Sequence, residues 1–449
     1  MICYNNTNNT ITIHTKNSTY QMKIDPKGVL LHTYYGPRVR SGDFSNWILQ
    51  EDRGFSPQPS EAGLDRTYSL DTQPQEYSSS GVGDFRIPSI EATSLDGSYT
   101  VDLRYVSHSI EAGKYTLDGL PTFYDNGDEW ETLSVLLKDT CTNLTVELLY
   151  GVFEECDLIT RAVKVSNSGT NPISLQRVMS TCVDFPSGTF HTITLGGAYG
   201  REREPVRMPL TQGIHTAQSI RGSSSHQQNP FTVLCSPDTT EDSGHCWGFA
   251  LVYSGNFLAQ TEYTQFHETR FVMGIHPFHF SWKLEAGETF CAPEAAMVFS
   301  NSGLSALSQR FHKAIRLNLC RGQWKDARRP ILINNWEATY FAFDADKIVS
   351  IAEKASKVGV EMMVMDDGWF GERNDDFRGL GDWDVNEKKL PGGLSALAER
   401  IEALGMKFGL WVEPEMVNED SKLYRLHPDW AFKIPGREGT RSRHQLVLD

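Results

Sequence analysis

The stretch that most constrains this chain runs from Ile331 to Trp369, ILINNWEATYFAFDADKIVSIAEKASKVGVEMMVMDDGW. A short apolar run, Ile331 to Ile333, gives way to polar residues and Trp336. Ile348, Val349, Ile351, Ala352, Ala355 and Val358 then recur at i, i+3, i+4 and i+7, which predicts an amphipathic helix capped by Asp344 and closed by Gly359. A second apolar run, Met362 to Met365, ends in Asp366-Asp367-Gly368-Trp369. Strand, helix and strand with short connections form a βαβ unit, so the two strands should be parallel. Both then end in polar and aromatic residues at one sheet edge, the edge where parallel α/β folds hold ligands.

The same texture continues. A polar insertion, Phe370 to Pro391, carries Trp383. Leu394, Leu397, Ala398, Ile401 and Leu404 predict a helix closed by Gly405. A third strand, Lys407 to Val412, runs into Trp411-Val412-Glu413-Pro414-Glu415-Met416. This is how a (β/α)8 barrel begins. A complete barrel takes roughly 250 residues, whereas about 120 follow Pro330, and the chain stops within an apolar run, His444 to Asp449. The expectation is a fragment carrying the first part of a barrel.

From the start to about Asn301 the pattern has period two. ITIHT, YQMKI, YTVDLRYVSHSI, LSVLLKD, LTVELLYGVFE, ITRAVKVSN and TVLCS alternate between Gly, Asn, Asp and Pro punctuation, as in a large two-sheet antiparallel sandwich. Leu304, Leu307, Phe311, Ile315 and Leu317 form one helical stripe, and Arg328-Arg329-Pro330 marks a break. The expected fold class is multidomain β plus α/β, with residues 1–301 the β domain, 302–327 a helical linker and 328–449 an incomplete barrel.

A net charge of −15 with no compensating basic block argues against nucleic acid or anionic membrane as partners. The N-terminus has no basic and apolar signal pattern, and no run approaches the roughly 18 apolar residues of a membrane span. Eight scattered Cys without a CxxC pair fit reduced thiols in the cytoplasm. Aromatics make up 11% and gather in loops, which suits ring-shaped ligands such as sugars.

At NNWEATYF, MDDGWFG, GDW and LWVEPEMV the sequence resembles the α-galactosidases of glycoside hydrolase family 36. DRGFSPQP (52–59), GVGDFR (81–86), GGAYGRERE (196–204), SSHQQNPF (224–231), YSGNF (253–257), PE (293–294) and the terminal RHQLVLD extend the resemblance from about residue 30 to the end. It implies an N-terminal β-supersandwich followed by a catalytic (β/α)8 TIM barrel. It also implies retaining hydrolysis of terminal α-galactose, as in melibiose and raffinose, without metal or nicotinamide. Small α-galactoside oligosaccharides are the implied partners, and a homo-oligomer the implied full-length assembly. The family's nucleophile is an aspartate in a K-W-D-like motif on the fourth barrel strand and its acid/base a later aspartate, so both are expected beyond Asp449. The chain itself is then expected to recognise sugar without cleaving it.

Carried over by position, the resemblance gives Asp366 and Asp367 to the galactose 4- and 6-hydroxyls, whose hydrogen bonds to a carboxylate are charge-assisted and directional. Trp336 and Trp411, read as ending the first and third strands, become walls against the C5–C6 face, and Arg443 a substrate contact with Arg441 as the alternative in register. Asp52 and Tyr199 reach the sugar from the β domain, Tyr199 standing where the family has Trp. Trp369 and Trp383 divide evenly between pocket and core, whereas His226, Glu413 and Glu415 read as structural. Two other classes stay open: a metal-dependent barrel enzyme using Asp366, Glu413 and Asp449, and a non-catalytic sugar-binding protein. Family transferases and α-N-acetylgalactosaminidases share the scaffold, and groups around the sugar 2-hydroxyl would separate them.

Overall fold

The computed structural model describes residues 1–449 except 49, 53, 56, 128, 129, 187, 225 and 438–442. The chain divides into two compact units, Met1–Arg321 and Gly322–Asp449.

The first unit is built from antiparallel sheets, as the alternating pattern requires. Ile2–Asn5, Thr10–His14, Ser18–Ile24 and Leu30–Pro37 form a four-stranded meander. A ten-stranded sheet runs from the edge strand Arg201–Pro209 through His191–Ala198, Gln228–Cys235, Cys246–Leu251, Ala295–Ser300, Leu158–Asn167, Leu144–Phe153 and Trp130–Lys138 to Arg104–Ala112, with the short tenth strand Thr289–Cys291 also paired to Leu158–Asn167. A six-stranded sheet is centred on Thr269–Ile275 and the long strand Ile173–Phe185. Alternate residues of the sheets, among them Ile13, Met22, Leu148, Val163, Val183 and Met273, share one apolar core. Phe249 of the ten-stranded sheet stacks on Phe271 of the six-stranded sheet, with ring centroids 4.0 Å apart. The predicted run 99–110 forms a strand only from Arg104, because the Val101 amide turns to the Ser80 carbonyl.

The buried charge of Asp84, Asp184 and Arg270 enters this core as a matched set. Asp184 and Arg270 face each other across neighbouring strands, and the Arg270 guanidinium donates Nε to Asp184 Oδ1 at 2.7 Å and Nη1 to Asp84 Oδ2 at 2.9 Å. Burial of ions is tolerable only with such partners. The helix Gly303–Asn318 sits in the first unit, where Leu307, Phe311 and Ala314 pack with Val298 and Val233.

The second unit contains the expected parallel sheet. Leu332–Asn334, Met362–Met365 and Lys407–Leu410 pair in parallel, in chain order. The helix Ala345–Ser356 connects the first two strands, and the Asp344 carboxylate accepts from the Lys347 amide at 2.8 Å, so the predicted cap is the observed one. Ile348, Val349 and Ala352 bury against Met363 and Met365, at about 1.5–3 kcal/mol per large side chain removed from water. The helix Gly393–Glu402 precedes the third strand, which ends at Leu410 rather than Val412. The sheet is open, with no closed barrel among the described residues. The terminal run Gln445–Val447 pairs antiparallel with Met416–Asn418 instead of joining the parallel sheet.

Candidate sugar-binding site

The second strand delivers its two aspartates into different environments. The Asp366 amide donates to Asn335 Oδ1 at 2.8 Å, while its carboxylate accepts from Asn334 Nδ2 at 2.5 Å and from the Asp367 amide at 2.7 Å. Asp366 stays half-buried, so part of its carboxylate faces solvent. Asp367 is only 3% exposed, and Arg373 forks onto it, Nε to Oδ1 at 2.9 Å and Nη2 to Oδ2 at 2.7 Å. A bidentate pair of this kind gives a buried carboxylate two charge-assisted hydrogen bonds. The next residue, Gly368, has φ +103°, and a Cβ there would stand 2.9 Å from the Phe341 ring, so this turn accepts only glycine. Lys389 Nζ donates to the Gly368 carbonyl at 2.8 Å and to Phe341 O at 3.0 Å, fixing the turn from below. Burial lowers the Lys389 pKa.

The aromatic residues separate in the same way. Trp336 does not end the first strand. It opens a one-turn helix, Trp336–Thr339, because the Asn334 side chain accepts from its amide at 2.6 Å and redirects the backbone. The ring is half-buried and meets Tyr340 and Phe341 edge-on at 5.1 Å. Trp411 extends the parallel ladder by one bond, its amide donating to Met365 O at 2.9 Å, and is also half-buried. Trp369 belongs to the core: it is buried and donates Nε1 to Trp411 O at 2.9 Å. Trp383 lies between Phe370 and Trp411, with ring centroids 4.5 and 6.5 Å away.

Arg443 reaches Asp376 Oδ1 with Nη2 at 3.3 Å and remains 60% exposed. Arg441, its neighbour in register, lies outside the described residues. Glu413, after the third strand, feels Arg443, Arg373 and Asp367, which places it among the same charges. Burial, then the neighbouring Glu415, raises its pKa. A carboxyl whose folded pKa is raised stabilises the fold below its unfolded pKa, and this contribution is lost as pH rises through the folded value. Glu413→Gln is therefore expected to flatten the fall in stability above the ordinary carboxylate range. At pH 7 it should raise stability slightly, by less than about 1 kcal/mol for a half-exposed charge; thermal melts between pH 4 and 8 check this.

Asp366, Asp367, Trp336 and Arg443 are thus linked in the second unit by hydrogen bonds and ion pairs through Asn334, Arg373 and Asp376, and Trp411 joins the same strand through Met365, while Glu413 is the neighbouring charge. Of Asn334, Arg373, Asp376 and Glu413 the sequence reading singled out Glu413 alone. Among the described residues, no three His, Cys, Asp or Glu side chains converge as a metal ion requires, and Asp366, Glu413 and Asp449 form no such group. Asp52 and Tyr199 belong to the first unit. Asp52 caps its own turn, accepting from the Gly54 amide at 2.9 Å, and pairs with Arg66 at 3.3 Å. Tyr199 stands 92% exposed at the tip of the hairpin joining His191–Ala198 to Arg201–Pro209.

Comparison with known proteins places the chain in a family. Residues 28–285 match the glycosyl hydrolase family 36 N-terminal domain and residues 289–449 match melibiase. The chain is 48% identical over its whole length to the bifunctional alpha-galactosidase/sucrose kinase AgaSK of Mediterraneibacter gnavus, covering 48% of that protein. It is 47% identical, again over its whole length, to the alpha-galactosidase AgaA of Geobacillus stearothermophilus, covering 61% of it. The structure of an AgaA variant in complex with raffinose superimposes with a TM-score of 0.95 at 48% identity, over 98% of this chain and 61% of that one. The chain spans about half to three fifths of the length of these relatives. With both family domains matched in order along one chain, it belongs to glycosyl hydrolase family 36.

Proposed function

We propose that the protein carrying this chain is a retaining α-galactosidase that removes terminal non-reducing α-D-galactose from oligosaccharides of the melibiose and raffinose type. In this reading the chain supplies recognition. The observation that carries it is the Asp366-Asp367 pair at a parallel strand's C-terminal end, one carboxylate half-exposed and the other gripped bidentately by Arg373. Adjacent carboxylates can receive the axial 4-hydroxyl and the 6-hydroxyl together, and an epimer lacking the axial group leaves an acceptor unmatched. Trp336 and Trp411 offer half-buried rings to the apolar sugar face. Asp52 and Tyr199 are assigned to the sugar on the family resemblance alone, as is assembly of the full-length protein into a homo-oligomer.

Cleavage with retention needs two carboxyl groups about 5–5.5 Å apart, one as nucleophile and one as acid and then base. Asp367, engaged by Arg373 on both oxygens, is unsuited to either role. On the family resemblance, both catalytic groups are assigned to residues outside 1–449, in the K-W-D-like strand and beyond. The three parallel strands are read as the first strands of a (β/α)8 barrel, and the antiparallel sheets as a β-supersandwich. A cytoplasmic setting is assigned from the sequence, in which the eight cysteines are scattered without a CxxC pair.

The test is hydrolysis of an aryl α-galactoside by the full-length protein, followed by proton NMR in the presence of chelator. The reading expects α-galactose as the first product and negligible turnover of the α-glucoside. β-Galactose as first product, or equal rates on both substrates, would reject it.

A further inference from the structure

We infer that a buried Arg373–Asn418 relay positions both charged ends of the proposed galactose site, locking the Asp367 carboxylate and, through the turn at Arg443 and His444, aiming the Arg443 guanidinium. The ligand named rests on the galactoside reading above; the relay itself does not.

Arg373 is fully buried. Nε and Nη2 fork onto Asp367, and Nη1 donates to Asn418 Oδ1 at 2.9 Å and to the Arg378 carbonyl at 3.1 Å. Asn418, also fully buried, ends the strand Met416–Asn418. Its Oδ1 accepts a second bond from the Leu380 amide at 3.0 Å, and its Nδ2 donates to Asp376 O at 3.2 Å and to His444 O at 3.0 Å. An amide side chain has two acceptor sites and two donors, and Asn418 uses all four. Aspartate in its place would keep the acceptors and turn both donors into repulsions.

The relay continues into charge. The Asp376 carboxylate lies 3.7 Å from Arg373 Nη2 and accepts from Arg443 Nη2 at 3.3 Å, so sign alternates along Asp367, Arg373, Asp376 and Arg443. Arg443 and His444 have φ of +51° and +62°, a left-handed conformation costly for consecutive non-glycine residues and held only where the surroundings impose it. Asn418 imposes it twice: its side chain binds His444 O, and its backbone stands opposite Gln445 in the antiparallel pair. One asparagine thus sets the separation between a carboxylate and a cation at the same site. Groups that bind one small rigid ring must be held to about 0.5 Å, so these are positioning residues.

The test compares Asn418→Ala and Asp376→Ala with the parent in the full-length protein. Galactose and glucose compete against an aryl α-galactoside, and hydrogen exchange is followed at the amides of residues 443–446. Asn418→Ala is expected to weaken galactose at least tenfold, to collapse its preference over glucose, and to speed exchange at this turn. Asp376→Ala releases Arg443 and removes a charge 3.7 Å from Arg373 Nη2, but leaves the Asp367 fork and all four Asn418 bonds in place, and its side chain is partly exposed, so a 3- to 10-fold weakening with little change in melting temperature is expected. It decides the matter if Asn418→Ala fails to fold. Unchanged galactose affinity in Asp376→Ala, or unchanged preference and unchanged exchange in folded Asn418→Ala, overturns the relay. A parent with no galactose preference rejects the galactoside reading alone; the exchange result then still judges the relay.

Discussion

Replacing Arg373 by methionine is expected to destabilise the second unit by about 3–5 kcal/mol, the penalty for stranding one partner of a buried ion pair. Asp367 is 3% exposed and, among the described residues, Arg373 is the cation that hydrogen-bonds it, so the change strands a buried carboxylate without its partner. The Asn418 carbonyl oxygen loses one of its two donors at the same time. The loss corresponds to a fall of about 10–20 °C in melting temperature for a unit of this size. Combining Arg373→Met with Asp367→Asn should recover much of it, because the double change removes the uncompensated charge. Urea or thermal melts of the single and double variants measure the coupling. A single variant as stable as the parent would show that Arg373 does not hold Asp367.

Asp366→Ala is expected to do the opposite: little to the fold and much to the ligand. The Asp366 carboxylate accepts only from the Asn334 side chain and the Asp367 amide and is partly open to solvent, so its loss should cost stability no more than about 1 kcal/mol. A hydrogen bond to a charged group contributes about 1.5–3 kcal/mol, and one of the two sugar hydroxyls assigned to this pair loses its acceptor, so galactose affinity should fall about 10- to 100-fold. Calorimetric titration with galactose, alongside a melt of the same sample, separates the two effects. Loss of binding with loss of fold, or retention of both, would contradict the assignment.

What the sequence revealed and concealed has a physical pattern. Met362–Met365 was legible to the residue, and so was the Asp344 cap, because both depend on local pattern and on a side chain reaching its own helix. Arg373 and Asn418 were not legible. Each is a single polar residue without period, and its burial is decided by how the 370–391 insertion and the Met416–Asn418 strand close over it. Trp336 was placed in the right neighbourhood but on the wrong element, since the Asn334 side chain competes for the backbone and starts a helical turn. Trp369 and Trp411 are alike in sequence context, yet the insertion buries Trp369 and leaves Trp411 half-open. The direction of Gln445–Val447 could not be read from three apolar residues, as either a parallel or an antiparallel neighbour would bury them. The family resemblance carried the site assignments further than pattern alone, because it joins residues far apart in the chain.

The most direct test of the account is to titrate the purified 449-residue chain with galactose and glucose while assaying the same preparation for release of an aryl aglycone from its α-galactoside. The account predicts galactose binding in preference to glucose, abolished by Asp366→Ala, with no detectable turnover. Measurable hydrolysis by residues 1–449, or binding indifferent to the configuration at C4, would contradict it.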